Sequence, residues 1–130
     1  MTYSDNSTNQ ELLKGLMRSV EPDELSSKYL KEAITGEYNA SIQYEQYSEI
    51  ADSEGYPNIS LLYKALTEAE RIHINNHQNA LREDFIPGSS PFESGSTLEN
   101  LTKSIAGEEY EYKKMYPEFK GEMIKLISSD

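Results

Sequence analysis

Three stretches of this chain repeat apolar residues at intervals of three and four, the period of an α-helix with one face turned inward, and glutamate interrupts each stripe. In the first, Leu30, Ala33, Ile34, Ala40, Ser41, Tyr44, Tyr47, Ser48 and Ala51 flank Glu37. In the second, Ile59, Leu62, Tyr63, Leu66 and Leu81 share a face with Glu70, His73 and His77. The third carries Leu98, Leu101, Ile105, Tyr112, Met115, Phe119 and Leu126 in register with Glu108, and Glu111 follows one turn later. No alternating apolar run supports a strand, so the expected class is all-α.

Punctuation sets the boundaries. A capping-box pair, Thr8 and Glu11, precedes Leu12, Leu13, Leu16, Met17 and Val20, which predicts a short amphipathic helix within residues 1–20. Pro22 can open a helical hairpin over 22–84, broken at "DSEGYP" and restarted at Pro57. The segment "DFIPGSSPFESGS" is too rich in Pro, Gly and Ser for a helix and too long for a tight turn, so 85–96 reads as a crossover loop. Ser96 and Glu99 form a second capping box at the start of a third helix over 97–128, in which Pro117 should bend or locally open the ladder. With 130 residues a single domain is expected, and three long helices leave a four-helix bundle one element short.

Composition narrows the chemistry. A formal net charge of −11 with scattered Lys and Arg argues against nucleic acid, which needs a clustered cationic face. The absence of cysteine excludes disulfides, thiolate zinc sites and iron–sulfur centres, so any metal must be held by O and N donors. The start "MTYSDNSTNQ" is polar and no apolar run approaches the roughly 20 residues of a membrane span, so a cytoplasmic location with no membrane partner is the expectation. Ten tyrosines against sparse aliphatics imply a partly aromatic core whose hydroxyls need partners.

A lone buried carboxylate costs several kcal/mol or takes up a proton, and several converging ones repel unless cations neutralise them. Divalent metal is the economical cation. Glu70 and His73 stand one helical turn apart on one face, so both can reach one ion, and such a Glu-x-x-His pair with glutamates from neighbouring helices is the donor set of carboxylate-bridged di-metal bundles. Glu37, Glu70 and His73 are therefore the candidate metal-holding and catalytic residues, with Glu108 and Glu111 as further ligand candidates. His77 reads as a residue supporting the ligands or facing solvent. No Ser/His/Asp triad or phosphate loop is apparent.

The segments "LKEAITGEYNASIQYEQYSEIADSEGYPNISLLYKALTEAERIHINNHQNAL" and "TLENLTKSIAGEEYEYKKMYPEF" resemble the rubrerythrin-type domain of the ferritin-like superfamily over roughly residues 29–120. That resemblance implies an iron pair, with Mn or Zn as alternatives, and ligands Glu37, Glu70, His73, Glu108 and Glu111. It also implies that Tyr44 and Tyr116 lie beside the metals. The family's fourth helix with a second Glu-x-x-His is not found in this sequence, nor is its rubredoxin domain, so electrons would have to come from an external donor protein. Two arrangements follow. In one, two hairpins from two chains form the bundle, as in encapsulated ferritins, giving a homodimer or higher homo-oligomer in which Glu108 and Glu111 leave the metal; this is the favoured expectation. In the other, all three helices keep rubrerythrin positions and the fourth is absent or supplied from elsewhere. The implied function is oxidation of Fe(II) by O2 or peroxide, as a ferroxidase or peroxidase; the alternative is a non-catalytic metal-binding or assembly module.

Overall fold

The computed structural model describes residues 23–128, and the expected N-terminal helix within 1–20 lies outside them. Asp23 caps α1 (Glu24–Ser53) by accepting from the Ser26 N–H at 2.7 Å. The helix ends where the Tyr56 N–H reaches back to the Ala51 carbonyl and the Gly55 N–H to Asp52, a Schellman closure that puts Gly55 at φ +88°, a left-handed conformation free of steric cost only for glycine. Pro57 then occupies the first turn of α2 (Pro57–Leu81), where its missing N–H leaves no bond unmade. So short a connection makes α1 and α2 antiparallel neighbours.

The 3.6-residue stripe of α1 becomes its buried face: Ala33, Ile34, Glu37, Ser41, Tyr44, Tyr47, Ser48 and Ala51 are all buried. Tyr63 of α2 is wholly enclosed between the Tyr44 and Tyr47 rings, whose centroids lie 5.6 and 5.4 Å away. Small hydroxyl residues fill the rest of the α1–α2 seam, with Ser48 Oγ bonded to the Ser60 carbonyl at 2.9 Å and Thr67 Oγ1 to that of Tyr63 at 2.8 Å.

The crossover returns the chain to the turn end of the hairpin along α1. Asn39 pins it from both sides of its amide, accepting from the Ser90 N–H at 2.7 Å and donating to the Gly88 carbonyl at 3.0 Å. The third helix begins as α3 (Thr97–Tyr110), capped by Ser96, and its first turn is clamped to the hairpin because Glu54 accepts from both the backbone N–H and the hydroxyl of Thr97. Buried Asn100 bonds both the N–H and the carbonyl of Gly95, which fixes the entry into the helix.

Pro117 has the local consequence its chemistry requires. Residues Glu111–Met115 form a π-helical turn in which the Tyr116 N–H bonds the Glu111 carbonyl, and the chain continues as α4 (Tyr116–Ser128). That i→i+5 bond widens the helix immediately ahead of Pro117, which has no N–H to continue the regular ladder. Further along, Phe119 stacks on Tyr29 of α1 with centroids 4.2 Å apart.

The third helix thus lies along α1, and the corner between α2 and α3 has no helix over it among the described residues. Leu62, expected in the core, is 49% exposed there; Leu98 and Ile105, also expected inside, are exposed at 74% and 60%. Each obeys the helical period of its element, but the described residues supply no surface that would bury it. No helix among the described residues is long and apolar enough to cross a membrane.

Candidate metal centre

The five sequence-predicted ligands come from three helical stretches: Glu37 from α1, Glu70 and His73 from α2, Glu108 from α3 and Glu111 from the π turn that follows it. Glu37 and Glu70 are nearly fully buried, at 3% and 5% exposure. Glu37, Glu70 and His73 each present a ligand atom within 4.8 Å of the others. The His73 imidazole is half exposed, its Nδ1 3.8 Å from Glu70 Oε2, too long for a hydrogen bond.

The third helix adds its own acids. Glu108 accepts from the Tyr44 hydroxyl at 2.6 Å, which places it against α1 beside the cluster. Burial, together with the negative charges of Glu108, Glu70 and Glu37, pushes the Glu111 carboxyl up to about 7, and His73 opposes that rise. Glu70 is likewise pushed up to about 7, by burial first and then by Glu108 and Glu37. Four carboxylates from three helices therefore feel one another. Within the single chain the third helix lies against the hairpin, which brings Glu108 and Glu111 beside Glu37 and Glu70.

Tyrosines line the cluster. The Tyr44 hydroxyl holds its proton well above the usual phenol range because it is buried and bonded to a carboxylate. Tyr116 is raised too, by burial and by Glu37, whose Oε1 is 3.4 Å from its hydroxyl. Tyr63 is anchored to Ser104 at 2.9 Å, closing the site toward the hairpin turn. His77 was expected to support ligands or face solvent; its Nδ1 lies 3.0 Å from both oxygens of Glu37. No spacing rule within α2 could name that partner, which comes from a different helix.

The donors suit a divalent cation. Glu70 Oε2 is buried with no hydrogen-bond partner, an arrangement that costs about 1–3 kcal/mol for a neutral group and more for a charged one unless an ion or proton occupies it. Oxygen donors with one or two imidazoles match Fe, Mn or Zn and exclude metals that demand thiolate.

The sequence model of the rubrerythrin family matches residues 28–129. Among curated proteins, rubrerythrin-2 of Clostridium acetobutylicum is 38% identical over 97 residues, 72% of this chain and 53% of its own length. Rubrerythrin of Porphyromonas gingivalis is 31% identical over 97 residues, 72% and 48% of the two chains, and nigerythrin of Nitratidesulfovibrio vulgaris 36% over 96 residues, 69% and 46%. The chain spans about half the length of these relatives. No solved structure matches.

Proposed function

This chain belongs to the rubrerythrin family, and from that premise we propose that it is a di-iron oxidoreductase passing electrons from Fe(II) to O2 or peroxide at the cluster between α1, α2 and the third helix. The observation that supports this most is the convergence of Glu37, Glu70, Glu108 and Glu111 around a buried carboxylate oxygen that no protein group satisfies. Iron, when bound, supplies one-electron redox chemistry and open coordination positions for the oxidant.

The chain's own residues do the rest. Glu37, Glu70 and His73 would hold the ions, with Glu108 and Glu111 closing the set from the third helix. The Tyr44 O–H, donating to Glu108 Oε1, fixes that carboxylate and leaves its second oxygen free to ligate. Tyr63 and Tyr47, packed beneath Tyr44, keep water from entering along the hairpin seam. The corner between α2 and α3 gives a small oxidant its entrance, past a cavity of about 330 Å³ lined by Tyr44, Leu66, Ile105, Glu108 and Tyr112. A homodimer would cover this corner instead of pairing hairpins, and the electrons that reset the iron would come from an external donor protein.

The test is anaerobic loading with Fe(II), followed by O2 or hydrogen peroxide, read by the absorbance of oxo-bridged Fe(III). Two irons per chain oxidised much faster than in buffer support the reading; iron that stays bound marks a peroxidase, and iron that leaves marks a ferroxidase. The exposure of His73 and the open corner favour the second reading, a metal-binding module without redox turnover, and binding with oxidation no faster than in buffer would establish it instead.

A further inference from the structure

The two ends of the cluster differ in how their carboxylates are held. Glu70 presents a bare oxygen toward His73, whereas Glu37 does not: His77 Nδ1 stands 3.0 Å from Oε1 and 3.0 Å from Oε2. The hydrogen bond is made to Oε2, and a ring nitrogen equally near Oε1 lies against the lone pairs of both oxygens. Those are the lone pairs through which a carboxylate chelates one ion or bridges two. Tyr116, approaching Oε1 from the third helix at 3.4 Å, does not block the notch.

We propose that His77 is a displaceable cap on Glu37: its Nδ1–H fills the carboxylate notch while the site is free of ions and is exchanged for a cation when metal binds. The inference rests on the metal-site reading above. A charge-assisted hydrogen bond partly compensates a buried carboxylate in a cluster of like charges, which is the condition the ion-free chain must survive. The His77 side chain is 30% exposed, so it can turn to water once released, and the ring then need not enter the coordination of the metal. Glu70 and His73, uncapped, accept the first ion; Glu37 joins at the expense of the His77 contact.

The experiment is calorimetric titration of the full chain with Co(II), comparing wild type, His77→Ala and His77→Asn. Losing the cap should tighten binding in His77→Ala by about tenfold, the order of one hydrogen bond to a charged group. His77→Asn, whose amide can donate from nearly the same position, should return affinity toward wild type. In wild type, ring nitrogen NMR during Zn(II) addition should show His77 losing its carboxylate partner without becoming a ligand. Unchanged or weaker Co(II) binding by His77→Ala, or a metal-bound His77 nitrogen, overturns the proposal and leaves the metal site standing. Wild type that shows no Co(II) binding dependent on Glu70 overturns both.

Discussion

Replacing Glu70 by Gln should change how the ion-free protein responds to pH. The Glu70 carboxyl titrates near 4.5 when unfolded and at about 7 when folded, because burial and the charges of Glu108 and Glu37 disfavour its ionised form. Between those values the folded chain keeps a proton that the unfolded chain has released, so stability is full below about 4.5 and is lost as pH rises to about 7. At about 1.36 kcal/mol per pH unit the gap gives a ceiling of roughly 3 kcal/mol. Solvent entering by the α2–α3 corner and coupling to Glu111 reduce this to about 1–2 kcal/mol. Glu70→Gln carries no charge at any pH, so urea denaturation in chelator should show wild type losing about 1–2 kcal/mol more than the variant between pH 5 and pH 8. A double variant with Glu111→Gln should be flatter still, since Glu111 also rises to about 7. Excess divalent metal should reverse the wild-type trend, the cation taking the proton's place. Equal pH slopes in wild type and Glu70→Gln would refute the idea that these carboxylates crowd one another.

Tyr44→Phe leaves Glu108 without its 2.6 Å donor and should cost about 1–2 kcal/mol of ion-free stability by chemical denaturation, while weakening metal binding less than loss of a ligand does. Asn100→Ala removes two bonds to Gly95 from a fully buried position and should cost about 2–3 kcal/mol, seen also as faster amide exchange in the first turn of α3. Arg82 closes α2 at φ 63°, a conformation glycine adopts without strain, so Arg82→Gly should stabilise the fold by about 0.5–1 kcal/mol in chemical denaturation.

Helix existence and the inward face of α1 were legible because period and burial coincide there: Ala33, Ile34, Glu37, Ser41, Tyr44, Tyr47, Ser48 and Ala51 on the stripe are all buried. Glu37 and Glu70 stand out for the complementary reason, as carboxylates where the period demands apolar residues, and both are buried; His73, on the same stripe, is exposed. Leu62, Leu98 and Ile105 obey the same period yet stay exposed, because a stripe reports what a helix can bury and not whether anything covers it. The buried Ser48, Ser60 and Thr67 gave a weak signal, since their hydroxyls are satisfied within the hairpin, Ser48 and Thr67 by backbone carbonyls and Ser60 by the Ser48 hydroxyl. The contact between His77 and Glu37 joins residues on different helices, and the role of Glu111 depends on a π turn whose position Pro117 suggested only in general terms.

Anomalous diffraction from crystals loaded anaerobically with Fe(II) tests the central claim most directly. The account predicts two iron peaks about 3.5–4 Å apart, contacted by Glu37, Glu70 and His73 together with Glu108 and Glu111 of the same chain. Iron held only by the hairpins of two chains, with Glu108 and Glu111 turned away, or no iron beside Glu70, would contradict it.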